Sequence, residues 1–291
     1  MQRRFHQLNV FSATPLQGNP LAVVHAAQGL AEPTLAAFAR WTNLSETTFL
    51  LPPTQAGADY RVRIFTPSGE LPFAGHPTLG SCFAWRAAGG QPRQSGIVVQ
   101  ECGVGLVQVR ADAGPHGTRL AFAAPPMLRS GPLDDALLQR ITTGLRLPLS
   151  AIVQHQWVDN GPGWCAVMLG SAAAVRAVQP DWAALGDISL GLVGLWPEAD
   201  ATCKAEGHSA FYEVRALFAS GGTHIEDPVT GSLNASLAQW LIGSGVAPQQ
   251  YRASQGHVLQ RAGVVHLQQN NGSLWVGGDV AVCIDGQVSL D

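Results

Sequence analysis

Glu46 is a carboxylate among uncharged neighbours. In Asn43-Leu44-Ser45-Glu46-Thr47-Thr48-Phe49 the flanking residues are apolar, hydroxylated or amide, and no cation is near in sequence. A desolvated carboxylate has its pKa raised towards neutrality, which suits a general base that must also return its proton. The plainer reading is an exposed glutamate at a strand entry. Two further ionisable residues each precede a proline: His76 before Pro77-Thr78-Leu79-Gly80-Ser81, and Asp227 before Pro228-Val229-Thr230-Gly231-Ser232. Proline suits a first helical turn, and a helix start presents unpaired N–H groups that bind anions. Gly75 and Gly231 lack the Cβ that would keep a ligand carboxylate from those N–H groups. The pattern is that of two half-sites for one small anionic ligand. The plainer readings are a solvated ring beside a helix cap for His76 and a simple N-cap for Asp227.

Other chemistries find little support. There is no HExxH, paired CxxC, Walker loop or nucleophile elbow. Gly161-Pro162-Gly163-Trp164-Cys165-Ala166 matches G-x-G-x-x-A, but it runs on into strand-like Val167-Met168-Leu169 where a dinucleotide site needs a helix to begin. Lys204, in Ala201-Thr202-Cys203-Lys204, is the only lysine, which speaks against a pyridoxal-phosphate Schiff base. His224-x-Glu226-Asp227 is short for a metal site, and the expectation is no metal and no cofactor. Five scattered cysteines, at 82, 102, 165, 203 and 283, read as buried thiols of a cytoplasmic protein. A net charge of −3 without a basic block argues against nucleic acid, and no apolar run has the length of a membrane span.

The elements that must position these residues follow from pattern. Strands are expected at Phe5–Phe11, Leu21–Val24, Thr47–Leu51 and Tyr60–Phe65, with an amphipathic helix from Glu32 burying Leu35, Phe38 and Ala39. Residues 66–75 read as a loop and Pro77–Ala88 as a helix, followed by strands at Ile97–Gln100, Leu106–Arg110 and Arg119–Ala123. Pro125–Pro132 reads as a boundary, giving domains 1–124 and 125–291, with the last strand free to pack on the first domain. The second half repeats the order: a helix at Asp134–Leu145, strands to Phe218, a helix at Pro228–Ile242 and strands from His257 onward. Gly96–Val104 echoes Gly256–Val264, and with the doubled Pro-x-x-Gly-Ser it reads as an internal duplication in which Gly243–Gln250 is an insertion. Val229–Ile242 has no charged residue and Pro77–Ala88 has only Arg86, although charged residues make up 13% of the chain. A helix without a charged face is buried all round, which a small sheet wrapped around it would explain.

Arg63-Ile64-Phe65-Thr66-Pro67, Glu70-Leu71-Pro72-Phe73-Ala74-Gly75-His76-Pro77-Thr78 and Glu226-Asp227-Pro228-Val229-Thr230-Gly231-Ser232 resemble the signature of the PhzF-like phenazine-biosynthesis isomerases. Gly18-Asn19-Pro20-Leu21-Ala22-Val23-Val24 and Ser45-Glu46-Thr47-Thr48 fit as well. The resemblance implies a diaminopimelate-epimerase-like α+β fold: two similar domains, each a curled, mostly antiparallel sheet around a central helix, with the site between them. It implies a cofactor-independent isomerase or epimerase, commonly a homodimer. Glu46 would be the acid/base, moving a proton on a small cyclic or unsaturated carboxylate or amino acid. His76, Asp227 and Ser232 would hold the substrate and assist proton movement, and the Gly75 and Gly231 backbone would bind its carboxylate. Many relatives continue with Ala-His-Gly after the serine, whereas this chain has Leu233-Asn234-Ala235. The alternative functions are a small-carboxylate-binding protein that has lost the chemistry and a metal-dependent lyase using His224 and Glu226.

Overall fold

A computed structural model of the chain describes residues 2–114, 117–197, 210–220 and 222–290. Lys204 and Cys203 lie outside them. The chain divides into two compact units, Met1–Ala123 with Val276–Asp291, and Ala124–Trp275. The sequence boundary at 124/125 sits one residue from this division. The C-terminal 16 residues, drawn above with the second domain, belong to the first unit because the last strand hydrogen-bonds to the first.

In the first unit β1 (Gln2–Val10) is antiparallel to β2 (Asn19–Val24), and β2 is parallel to β3 (Glu46–Leu51). Between them α1 (Glu32–Thr42) packs on β3 and on β4 (Tyr60–Thr66), burying Leu35, Phe38 and Ala39 as the spacing predicts. β4 is antiparallel to β3 and to β5 (Gly69–Leu71), and parallel to β6 (Ile97–Cys102). A meander of β7 (Gly105–Gly114) and β8 (Gly117–Ala123) follows. α2 (Gly75–Ala87) runs through this curl and packs against strands from β1 to β8. Gly75–Cys82 are buried without a break, more than two turns, so no face of that stretch meets water.

The turn into β2 is held by Asn9, whose amide oxygen accepts from the Gly18 N–H at 2.6 Å and whose amide nitrogen donates to the Ser12 and Thr14 carbonyls. A Cβ on Gly18 would overlap the carbonyl oxygen of Val10. Gly18→Ala is therefore expected to destabilise by about 1–3 kcal/mol, read as an earlier urea midpoint with unchanged m-value.

The second unit opens with α3 (Asp135–Leu145), whose Asp134 cap accepts from Leu137 N–H. It then repeats the first. β9 (Ile152–Trp157) is antiparallel to β10 (Cys165–Leu169), and β10 is parallel to β11 (Leu190–Leu195) after α4 (Ala172–Ala177) and α5 (Trp182–Leu185). β12 (Tyr212–Ser220) is antiparallel to β11 and β13 (Thr223–Asp227), and parallel to β14 (Gln250–Gln255). β15 (Gly263–Asn270) follows, β16 (Ser273–Gly278) leaves this unit after Trp275, and β17 (Val280–Ser289), in the first unit, pairs with β1. α6 (Gly231–Gly243) occupies the place of α2, with Leu233–Ala238 buried without a break.

The duplication is real, but the echoed strings mark the wrong equivalences. Register settles this. Ile64 pairs with Leu71 in β4–β5, and Ala216 pairs with Asp227 in β12–β13. Counting from the strand starts Tyr60 and Tyr212, Ile64 and Ala216 are equivalent, so Leu71-Pro72-Phe73-Ala74-Gly75-His76 matches Asp227-Pro228-Val229-Thr230-Gly231-Ser232. Pro228 corresponds to Pro72, not Pro77, and neither Pro228 nor Pro77 opens its helix. Both helices begin at the glycine, two residues before Pro77 and three after Pro228. Likewise β6 matches β14, which starts in the supposed insertion, while His257–Leu259 is a short 3-10 turn and not the expected strand.

Candidate functional site

Parallel neighbours start at the same edge of a sheet, so β2 and β3 begin together, and Leu21 pairs with Glu46. Glu46 is the first residue of β3, and its side chain is 15% exposed. His76, the second residue of α2, is brought to it: Nε2 of His76 lies 3.2 Å from Oε2 of Glu46. The other side of the ring meets the Pro20 backbone at the start of β2. Proline has no N–H, so the ring nitrogen donates and the Pro20 carbonyl accepts. Nε2 makes no hydrogen bond of good geometry, which assigns the proton to Nδ1 and leaves Nε2 unprotonated, 3.2 Å from Glu46 Oε2. Burial lowers the His76 pKa to about 3, so the imidazole is neutral at physiological pH. A neutral Nε2 can accept a hydrogen bond from a protonated Glu46 and loses it when Glu46 gives the proton up. The solvated ring of the plainer reading is excluded by 4% exposure.

The start of α2 has no side-chain cap. Ala74 holds the N-cap position, Thr78 N–H and Thr78 Oγ1 both turn to the Ala74 carbonyl, and Pro77 has no N–H to offer. Gly75 and His76 therefore present the backbone donors of the first turn beside Glu46.

In the second unit α6 also starts without a side-chain cap, at Thr230. Asp227 is not that cap: it ends β13, and its Oδ2 accepts from Thr230 Oγ1 at 2.6 Å. Ser232, the register equivalent of His76, has its Oγ held by the indole N–H of Trp164 at 3.1 Å and its carbonyl by Asn160 Nδ2 at 2.9 Å. The Gly161-Pro162-Gly163 string is the loop carrying these two residues, tied by Asp159 Oδ1 to the Gly161 and Gly163 N–H groups, and β10 follows it, not a helix. Trp164 and Asn160 carry no sequence signal that separates them from ordinary loop and core residues, and Thr230 lies within the quoted motif without being singled out there. Through the β3–β4 and β11–β12 registers the residue in Glu46's place is Ser189, so only the first unit carries this carboxylate.

His224 and Glu226 are engaged elsewhere. His224 lies 3.2 Å from the Gly186 carbonyl and stacks on Trp182, and Glu226 takes two hydrogen bonds from Arg215. No group of three or more His, Cys, Asp or Glu suited to a metal occurs among the described residues. Burial pushes the Cys82 thiol, inside α2, up to about 12, away from thiolate chemistry. No helix among the described residues is long and apolar enough to cross a membrane.

The model of one protein family, described as phenazine biosynthesis-like protein, matches residues 8–287. An uncharacterized isomerase of Mesorhizobium japonicum is 48% identical over 82% of this chain and 80% of its own. The trans-2,3-dihydro-3-hydroxyanthranilate isomerase of Pseudomonas aeruginosa is 31% identical over 99% of both chains. Among solved structures, a predicted epimerase from Pseudomonas aeruginosa is 26% identical, with a TM-score of 0.76 over 98% of this chain and 99% of that one.

Proposed function

The chain belongs to the phenazine biosynthesis-like family of isomerases, and from that premise we propose that it moves a proton on a small cyclic or unsaturated carboxylate or amino acid without a cofactor. One observation carries the proposal: Glu46 and a neutral His76, 3.2 Å apart, sit beside an uncapped helix start. A carboxylate bound to the Gly75 and His76 N–H groups would set its α-carbon near a group able to take a proton and redeliver it. The helix end compensates the charge of the bound carboxylate, which lowers the cost of the carbanion-like transition state next to it. Glu46 is then the acid/base. His76 is assigned to assist that proton movement, its neutral Nε2 accepting from the protonated form when the two groups align. Asp227, Gly231 and Ser232 are assigned to holding the substrate, the first by accepting from a donor group on it and the others by donating to an acidic group.

The test is incubation in D2O with trans-2,3-dihydro-3-hydroxyanthranilate, the compound in the relative's name, and with a panel of cyclic α-amino acids such as proline. The expected result is enzyme-dependent loss of a C–H proton signal from at least one of them, with the carbon skeleton unchanged. Tight binding of a panel member without any C–H exchange would favour the carboxylate-binding alternative.

A further inference from the structure

We propose that Asn234, Gln255 and Thr230 form a relay that fixes Asp227 as a hydrogen-bond acceptor and aims its carboxylate. This rests on the reading of Asp227 as a substrate-holding residue and assigns the relay members as positioning residues for it.

The argument is an inventory of donors and acceptors. Gln255, fully buried on β14, has an Oε1 that faces the Thr230 N–H at 3.0 Å and Asn234 Nδ2 at 2.8 Å. A backbone N–H is only a donor, so the atom facing it must be the amide oxygen, and the orientation of Gln255 is settled. Its Nε2 then donates to the Asp227 carbonyl at 3.0 Å and to Thr230 Oγ1 at 2.9 Å. Thr230 Oγ1 thereby accepts from Gln255, and its one proton goes to Asp227 Oδ2 at 2.6 Å. Oδ2 must accept, so it is not the oxygen that carries a proton. The far end is settled in the same way: Asn234 Nδ2 donates both to Gln255 Oε1 and to the Thr230 carbonyl at 2.9 Å. Asn234 Oδ1 is left buried without a hydrogen-bond partner. Holding a buried acceptor unsatisfied is unfavourable, and Asn234 does so in the orientation that keeps the relay polarised. Every link runs from donor to acceptor in one direction, Asn234 to Gln255 to Thr230 to Asp227.

Position 234 must supply an N–H to Gln255 Oε1, which an asparagine amide or a neutral histidine ring can each do. A leucine cannot.

The test uses the full chain in two arms. By NMR, the Thr230 hydroxyl proton is expected to exchange slowly with water in the wild type and in Asn234→His, and at least 10-fold faster in Asn234→Leu. In the D2O exchange assay with trans-2,3-dihydro-3-hydroxyanthranilate, Thr230→Val is expected to lower kcat roughly 10- to 100-fold, the scale of one hydrogen bond to a charged group. KM should change less than kcat, and Thr230→Ser should restore the rate. The relay is overturned if Asn234→Leu leaves the hydroxyl exchange unchanged, or if Thr230→Val turns over like wild type while Asp227→Asn does not. Wild-type turnover by Asp227→Asn would instead overturn the role of Asp227. If that compound is not turned over, the hydroxyl-exchange arm decides alone.

Discussion

Glu46→Gln is expected to reduce C–H exchange into solvent by about 10²–10⁴-fold, the usual contribution of a general acid–base group. The substitution is close to isosteric, and its amide N–H can donate to the His76 Nε2 that faces position 46 at 3.2 Å. Packing and the His76 contact are therefore retained, and what is lost is the ability to carry a proton. Binding of a carboxylate at the α2 start should change little, because backbone N–H groups supply it. The expected signature is a collapse in kcat with KM within a few-fold. His76 makes a second, separable contribution. Because burial holds it near 3, its own titration should leave the rate flat between about pH 5 and 8. If Glu46→Gln exchanges protons within a few-fold of wild type, the acid/base assignment fails, whatever else binds at the helix start.

How much of this was legible in the sequence depended on whether burial came from apolar side chains or from satisfied polar ones. Strands with alternating or continuous apolar residues, such as Tyr60–Thr66 and Cys165–Leu169, lie where pattern places them. β14 does not look like a strand, because Gln250-Tyr251-Arg252-Ala253-Ser254-Gln255 buries polar groups through hydrogen bonds: Ser254 to Glu213 and to the Trp196 indole, Gln255 to the relay. His257–Leu259 looks like a strand, but Gly256 and Gln260 on either side adopt φ of 100° and 58°, which close a turn. The doubled Pro-x-x-Gly-Ser misled for a related reason. Letters can slide along a chain by a few residues at no cost, whereas a one-residue slip in a sheet reverses every side chain. Register therefore pairs His76 with Ser232 and Asp227 with Leu71, and shows two units more divergent at their helix starts than the strings imply. Glu46 and His76 were each legible as single residues. Their contact was not, since it depends on the parallel start of β2 and β3 next to α2.

Arg215→Met is expected to destabilise the second unit by about 3–5 kcal/mol, as removal of one partner from a buried ion pair does. Arg215 is 2% exposed at its side chain and Glu226 is 8% exposed. The guanidinium donates twice to the Glu226 carboxylate, at 2.9 and 2.8 Å, and twice to carbonyls at the end of α4, Val175 at 3.1 Å and Val178 at 2.6 Å. Methionine fills the aliphatic volume but leaves a buried carboxylate without a counter-charge and takes the guanidinium from both carbonyls, of which Val175 keeps the Val178 N–H. Calorimetry should record a melting transition lowered by on the order of 10 °C. The double variant Arg215→Met, Glu226→Leu should recover much of that loss, because an apolar pair of similar volume can replace a buried ion pair. Recovery should stop short of wild type, since the Val178 carbonyl loses the Arg215 donor in both variants. The pair also has a place in the function. Glu226 immediately precedes Asp227 on β13, so its clamp to β12 fixes the strand end that delivers Asp227 to Thr230. The double variant should thus regain stability before it regains activity. Equal recovery of both would mean that β13 needs only to be folded, and that the ion pair has no part in aiming Asp227.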